Sequence, residues 1–388
     1  MSFEELKNKD SQYIANTYNR FSADMERGEG ATLYSEDGKK YVDFGSGIAV
    51  NSFGINDEEW KTAVIAQINR IQHASNLYYT RPQAELAELL CEWTGAKKVF
   101  FSNSGAEANE CAIKVARKYS YDQYGEGRFR IVTLKNSFHG RTMATLSATG
   151  QDAMHHYFMP FLDGFDYAEP TFAGVREKCS DKTCAVLLEL VQGEGGVRAL
   201  DEEEVKKIEK FCKKQDILLM IDEVQTGNGR TGSLYAYMHY GIEPDVVSTA
   251  KGLAGGLPLG ATMLFDKCKG VFGAGDHGST FGGNPIACAG ALSILKRIDK
   301  DLLLEVQGKS AYLFTHLGRI KNVISVTGMG LMIGLETTKS AREIAEKCLE
   351  RGLIVLTAKN KVRLLPPLNI KKEEMDFCIK ILNEVISE

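Results

Sequence analysis

The 388-residue chain has no run of apolar residues near the ~18 that a membrane-spanning helix requires. It has no Lys/Arg-rich block either, and its net charge is −4, which argues against a nucleic-acid footprint or a polybasic membrane patch. Its nine cysteines are odd in number and scattered. Cys179 and Cys184 are the closest pair, and no second cluster or neighbouring His completes a zinc site. Thiols without a framework predict a reducing compartment, the cytoplasm. The first thirty residues are charged throughout and lack an apolar centre, so no secretory leader is expected. What remains is ordinary globular composition, 44% hydrophobic and 25% charged, with length for roughly two domains at about 150 residues each.

Short apolar runs alternate with amphipathic stretches through the middle of the chain. Strands are expected at Lys98–Ser102, Arg130–Leu134, Ala185–Leu190, Ile217–Ile221, Asp245–Thr249 and Ala261–Phe265. These runs are continuously apolar, as in a parallel sheet covered on both faces. Helices are expected at Gln83–Thr94, Ala106–Tyr119 and Glu202–Lys214, the last opened by Asp201 as N-cap. The alternation predicts a large α/β domain over residues 50–290. Residues 1–49, with a hairpin turning at Asp37-Gly38, and residues 291–388 are expected to build a smaller α+β domain together.

Two glycine-rich motifs fail on their surroundings. Gly227-Asn-Gly-Arg-Thr-Gly232 matches G-x-G-x-x-G, but Asp222 and Glu223 stand between it and the preceding strand, where their charge would repel a pyrophosphate. Gly273–Thr280 resembles a P-loop, but Ser279 stands where the lysine is needed and no apolar strand leads in.

Four other segments carry chemistry. Asp222 closes an apolar strand, at the sheet end where open α/β folds bind ligands, and a carboxylate buried there needs a cationic partner. Lys251 ends another strand between Ala250 and Gly252, whose small side chains leave an amine poorly solvated and nucleophilic toward carbonyls. A reactive lysine with an acid for a pyridinium nitrogen is the pattern of pyridoxal phosphate chemistry. Ser104-x-x-Glu107 fits a capping box, and the N–H groups of Gly105 and Ala106 at that helix start form an anion site. Phe138 precedes His139-Gly140-Arg141 at a further strand end, with the ring placed to stack and Arg141 to fork a carboxylate.

The segments FSNSGAEANE, FHGRT, VQGEGG, IDEVQTGNGRTG, AKGLAGGLPLGA, STFGGNP and RLLPPL, in this order, resemble the class III (subgroup II) pyridoxal-phosphate aminotransferases. The resemblance covers nearly the whole chain. It implies a fold-type I homodimer with active sites at the subunit boundary. By the same resemblance Lys251 holds the cofactor covalently and then moves the substrate proton. Asp222 pairs with the ring nitrogen, Val224 and Phe138 sandwich the ring, and Gln225 lies near its phenolic oxygen. Gly105 and Ala106 bind the phosphate, which Thr280 reaches from the neighbouring subunit. Arg141 and Arg363 anchor substrate carboxylates, Ser279 belongs to the substrate site, and Glu194 is the movable counter-charge of Arg363.

The expected substrates are an amino acid and a 2-oxo acid, with no metal, nucleic acid or membrane involved. Relatives that use free ornithine carry a tyrosine in the segment matching Ser46-Gly47-Ile48-Ala49. Its absence here favours N-acetylornithine as donor, with 2-oxoglutarate as acceptor. Other ω-amines, and an aminomutase that returns the amine to the same molecule, are the rival expectations. Two departures from the family pattern, Gly54-Ile-Asn-Asp-Glu and Leu190, lie away from this chemistry.

Overall fold

The computed structural model describes residues 1–388. Its centre is a seven-stranded sheet. In spatial order the strands are Lys98–Ser102, Gly260–Leu264, Val246–Thr249, Leu218–Asp222, Thr183–Leu188, Arg130–Leu134 and Phe165–Ala168. The sheet is the mostly parallel one expected of this fold class: six strands run parallel, and Gly260–Leu264 runs against both neighbours. The reason is the connection. Residues 250–259 hold only one turn of 3₁₀ helix, too little chain for a parallel crossover, so the strand returns antiparallel. Phe165–Ala168 was not expected as a strand. It is a four-residue edge segment whose Phe-Asp-Tyr-Ala sequence has no apolar run.

Four of the five interior strands are fully buried, in keeping with their apolar sequences, and Arg130–Leu134 is buried beyond its first residue. Helix Gly105–Tyr124 packs on the sheet through Ala108, Cys111, Ala112, Val115 and Ala116, small residues that let the backbones approach. Helix Glu202–Gln215 starts where Asp201 accepts from the Glu204 N–H at 3.0 Å, three acidic residues in its first turn complementing the dipole.

The two chain ends meet. Strands Arg27–Glu29, Thr32–Tyr34 and Lys40–Asp43 form an antiparallel meander, and Leu353–Ile354 from the far end adds to it in parallel, Leu353 opposite Val42. The hairpin loop runs Ser35–Lys39, longer than a two-residue Asp-Gly turn. A second sheet holds Val323–Met329, Met332–Thr337, Lys361–Leu364 and Leu356–Ala358, all antiparallel. Helices Lys300–Leu317, Ala341–Glu350 and Lys372–Ser387 cover these sheets, and Ala31, Val42 and Phe44 share their apolar core. No helix is long and apolar enough to cross a membrane.

The rejected glycine motif joins the two regions. Gly229 and Gly232, both with φ near +85°, turn the loop against Leu368 and Gln307. The Gln307 side chain donates to the Gly232 carbonyl at 2.9 Å.

Candidate active site

A cavity of about 420 Å³ opens at the C-terminal ends of the central strands. Its lining includes Gly105, Ala106, Phe138, Arg141, Asp222, Val224, Gln225 and Lys251, eight of the expected site residues, gathered from four separate strand ends.

Asp222 forms the floor, 4% exposed. One oxygen accepts from Asn109 Nδ2 at 2.7 Å and His139 Nδ1 at 2.8 Å, and the other from the Val224 N–H at 3.0 Å. A carboxylate only accepts, so Nδ1 of His139 carries a proton. The Asn109 amide is oriented in turn: its carbonyl accepts from Ser248 Oγ at 2.5 Å, and its Nδ2 also reaches the His139 carbonyl at 2.9 Å. His139 Nε2 is buried with no partner.

Lys251 follows the strand Val246–Thr249 at φ +44°, a left-handed conformation that a side-chain-bearing residue adopts at a cost of about 1 kcal/mol or more. Burial pushes its ammonium below the ordinary lysine range, and Arg363 acts in the same direction against the pull of Glu194, Asp222 and Glu189. Its turn is pinned by Ser52 Oγ, which donates to the Gly252 carbonyl at 3.1 Å.

The anion end is the start of helix Gly105–Tyr124. Ser104 Oγ accepts from the Glu107 N–H at 3.2 Å, but the Glu107 carboxylate accepts from the N–H of Asn103, one residue before the cap expected for it. A Cβ on Gly105 would lie 2.5 Å from Val224 Cγ1, and one on Gly140, at φ +142°, would lie 2.8 Å from Ala106. Both glycines keep the wall flat and thin between Val224 and Phe138.

Arg363 and Glu194 sit behind this cavity and do not line it. Arg363, 3% exposed on strand Lys361–Leu364, donates from Nη1 to Glu194 Oε1 at 2.5 Å and to Gln225 Oε1 at 3.4 Å. Gln225 lines the cavity, so it connects the ion pair to it. Arg141 is exposed, its guanidinium 5.6 Å from the centre of the Phe138 ring. Ser279 and Thr280 also lie outside the lining. Ser279 Oγ accepts from the side chain of the cavity residue Asn103 at 3.2 Å, and Thr280 is exposed.

Four polar lining residues went unassigned from the sequence: Asn103, Asn109, His139 and Glu189. Glu189 accepts from the Phe138 N–H at 2.8 Å, and burial raises its carboxyl well above the usual range, with Asp222 adding to the effect. A signal for it exists: it is the one charged residue inside the apolar run from Ala185 to Val191.

This donor set fits pyridoxal phosphate. It offers an amine for the aldehyde, a buried carboxylate for the ring nitrogen, glycines that clear space for a flat ring, and a helix N-terminus for the phosphate. The family model for aminotransferase class-III matches residues 13–386, so the chain belongs to the class-III aminotransferases, whose cofactor is pyridoxal 5′-phosphate. Within that class it is similar to the acetylornithine aminotransferase of Haemophilus ducreyi, 48% identical over 392 residues and 100% of both chains. That of Aquifex aeolicus is 43% identical, over 96% of this chain and 100% of the relative. Among solved structures, the ornithine aminotransferase of Toxoplasma gondii superposes with a TM-score of 0.95 at 28% identity, over 100% of this chain and 95% of the other. The acetylornithine aminotransferase of Elizabethkingia anophelis gives 0.89 at 29% identity, over 100% and 99%.

Proposed function

We propose that the chain transfers the δ-amino group of N2-acetyl-L-ornithine to 2-oxoglutarate, giving N-acetyl-L-glutamate 5-semialdehyde and L-glutamate, a step of arginine biosynthesis. The observation that carries this reading is one cavity with Lys251 and Asp222 in its wall and the Arg363–Glu194 pair attached to it through Gln225.

Pyridoxal phosphate, when bound, supplies a ring that draws electrons from the carbon bearing the amine. The chain's own groups do the rest. The Lys251 amine, kept less basic by burial, removes the proton from that carbon and later returns it. Asp222 would keep the ring nitrogen protonated, while Asn109 and His139 hold Asp222. Val224 and Phe138 would flank the ring, Gln225 would lie near its phenolic oxygen, and the N–H groups of Gly105 and Ala106 would receive the phosphate. Arg141 takes the carboxylate at the far end of the substrate.

Arg363 serves the two halves differently. The donor has no carboxylate beside its reacting amine, and Glu194 then neutralises Arg363. 2-Oxoglutarate brings such a carboxylate, and Glu194, half-buried and therefore movable, gives way to it.

The working unit in this reading is a cytoplasmic homodimer, with residues 50–290 as the cofactor domain and 1–49 with 291–388 as the smaller domain. Leu77, Tyr78, Tyr79 and Phe281 are exposed apolar side chains beside Thr280. Asn76 ties their two segments together through the carbonyls of Ser279 and Gly282. Such a patch suits a second copy, which would bring Thr280 to the phosphate.

Free ornithine is the second reading, favoured by the likeness to ornithine aminotransferase structures. Against it stands the stretch Ser46–Ala49, four successive left-handed residues with φ of +47°, +62°, +66° and +61°, which ends at the cavity residue Val50 without a tyrosine. The deciding experiment adds acetylornithine, ornithine and 4-aminobutyrate in turn to the yellow holoenzyme. Acetylornithine is expected to bleach it at the highest kcat/KM, with parallel double-reciprocal lines against 2-oxoglutarate. Faster bleaching by ornithine, or intersecting lines, refutes the assignment.

A further inference from the structure

We propose that Arg230 is a positioning residue for Arg363, fixing the substrate's carboxylate anchor relative to the loop that leaves Asp222. The inference rests on the role proposed above for Arg363.

Arg230 lies in the glycine loop 227–232 and is 2% exposed. It has no carboxylate partner, and burial alone pushes its guanidinium down to about 9. Its Nη1 donates to two carbonyls of the other region, Leu331 at 3.2 Å and Pro366. The Leu331 N–H returns a bond to the Arg230 carbonyl at 2.9 Å. These contacts bracket Arg363. Leu331 immediately precedes the strand Met332–Thr337, in which Gly334 pairs with Arg363, and Pro366 closes the segment Arg363-Leu364-Leu365-Pro366. The fit is close, since a Cβ on Gly330 would lie 2.5 Å from the Arg230 carbonyl.

Burying a cation among neutral carbonyls is unfavourable, and an apolar side chain would fill the space at less expense. What the guanidinium adds is a planar, stiff donor whose Nη1 ties the segments flanking two strands to one loop. The other end of that loop carries Asp222, Val224 and Gln225. Arg230 therefore sets the span from the ring-nitrogen anchor to the carboxylate anchor, and a misplacement of about 1 Å there is costly to turnover.

The test is Arg230→Lys in the full holoenzyme, which keeps the charge and loses the planar guanidinium that places Nη1 between the two carbonyls. The two half-reactions are followed separately by cofactor absorbance, and glutarate, which cannot react, is titrated by calorimetry. The expected result is about a 10-fold rise in the KM for 2-oxoglutarate and in the Kd for glutarate. The KM for the ω-amino donor and the cofactor spectrum stay within about 2-fold of wild type, because Glu194 occupies Arg363 in that half-reaction. Equal changes in both half-reactions, or none, overturn the proposal. Should Arg230→Lys give no soluble holoenzyme, Gln307→Ala decides in its place. It removes one bond to the same loop from an exposed helix side chain, and a selective rise of about 2-fold in the same two constants is expected. Equal or absent changes again overturn the proposal. Arg363→Gln is the control. If it fails to weaken glutarate, the reading of Arg363 falls; if it weakens glutarate while the other variants do not, only the role of Arg230 falls.

Discussion

The two ends of the active site are built on different plans. At the cofactor end, Asp222 is the last residue of a central strand, and its oxygens are filled by neighbours from the same sheet and its covering helix. Asn109 and His139 are themselves oriented, so the carboxylate has nowhere to go. At the substrate end, Arg363 comes from a strand of a different sheet and faces Glu194 from a loop between two short strands. Its Nε has no partner although it is buried, and the Glu194 side chain is 29% exposed. One end is a carboxylate held by three hydrogen bonds. The other is an ion pair with one partly exposed member and a spare donor, the arrangement that the proposed exchange of substrates at that position calls for.

Breaking the fixed end is expected to do the most damage. Lys251→Ala removes the base and the covalent anchor together, and kcat should fall by more than about 10⁴-fold. Single-turnover bleaching with the donor measures this, and a variant retaining a tenth of wild-type turnover would defeat the assignment. Asp222→Asn comes next. It keeps the shape, but its single oxygen replaces only one of the two acceptors. Either the Val224 N–H or the Asn109–His139 pair then loses its partner, and the amide cannot offer a full negative charge to a pyridinium. A loss of about 10²- to 10³-fold in kcat/KM with weaker cofactor retention is expected, equal in both half-reactions. A loss confined to one half-reaction would place Asp222 outside the ring-nitrogen role.

Breaking the movable end should be milder and one-sided. Glu194→Gln leaves Arg363 without its counter-charge only while the donor is bound. Because Glu194 is partly solvated, the penalty falls below that of a fully buried pair, about 1–2 kcal/mol. The kcat/KM for the donor should drop about 10-fold while that for 2-oxoglutarate changes by less than about 2-fold. Equal losses would show that the pair is structural.

The contrast also explains what the sequence made legible. Strand ends were readable because buried parallel strands are unbroken apolar runs, so a polar residue terminating one, such as Asp222 or Lys251, marks the rim where ligands bind. The helix start at Ser104 announced itself by cap chemistry. Arg363 lies on a short strand with no such marker, and its pairing across 169 residues with Glu194 is tertiary information that entered through family resemblance alone. Asn109 escaped notice because it lies in a helix among small residues and owes its role to a strand end elsewhere in the sequence. Phe165–Ala168 and the reversed strand Gly260–Leu264 escaped for topological reasons, an edge position and a connection too short to cross over.

The smallest expected effect separates two carboxylates that are neighbours in sequence. Strand alternation sends Asp222 into the cavity and its neighbour Glu223 to the opposite side, fully buried, where it accepts from the Tyr237 N–H at 2.8 Å and meets the Thr226 hydroxyl. Burial raises the Glu223 carboxyl to about 7 from an ordinary 4.5. The folded protein then holds a proton that the unfolded chain has released. The stabilisation is complete below about pH 4.5 and is lost as pH rises through 7, by about 3 kcal/mol if the whole shift is expressed. Glu223→Gln, which cannot ionise, should remove this slope. Compared by denaturant unfolding of the holoenzyme, wild type should lose stability relative to the variant between pH 5 and pH 8, with kcat little changed at either pH. Parallel stability curves would mean that Glu223 is already ionised at the acid end of that range. A large fall in kcat would mean that this carboxylate, and not Asp222 alone, reaches the chemistry.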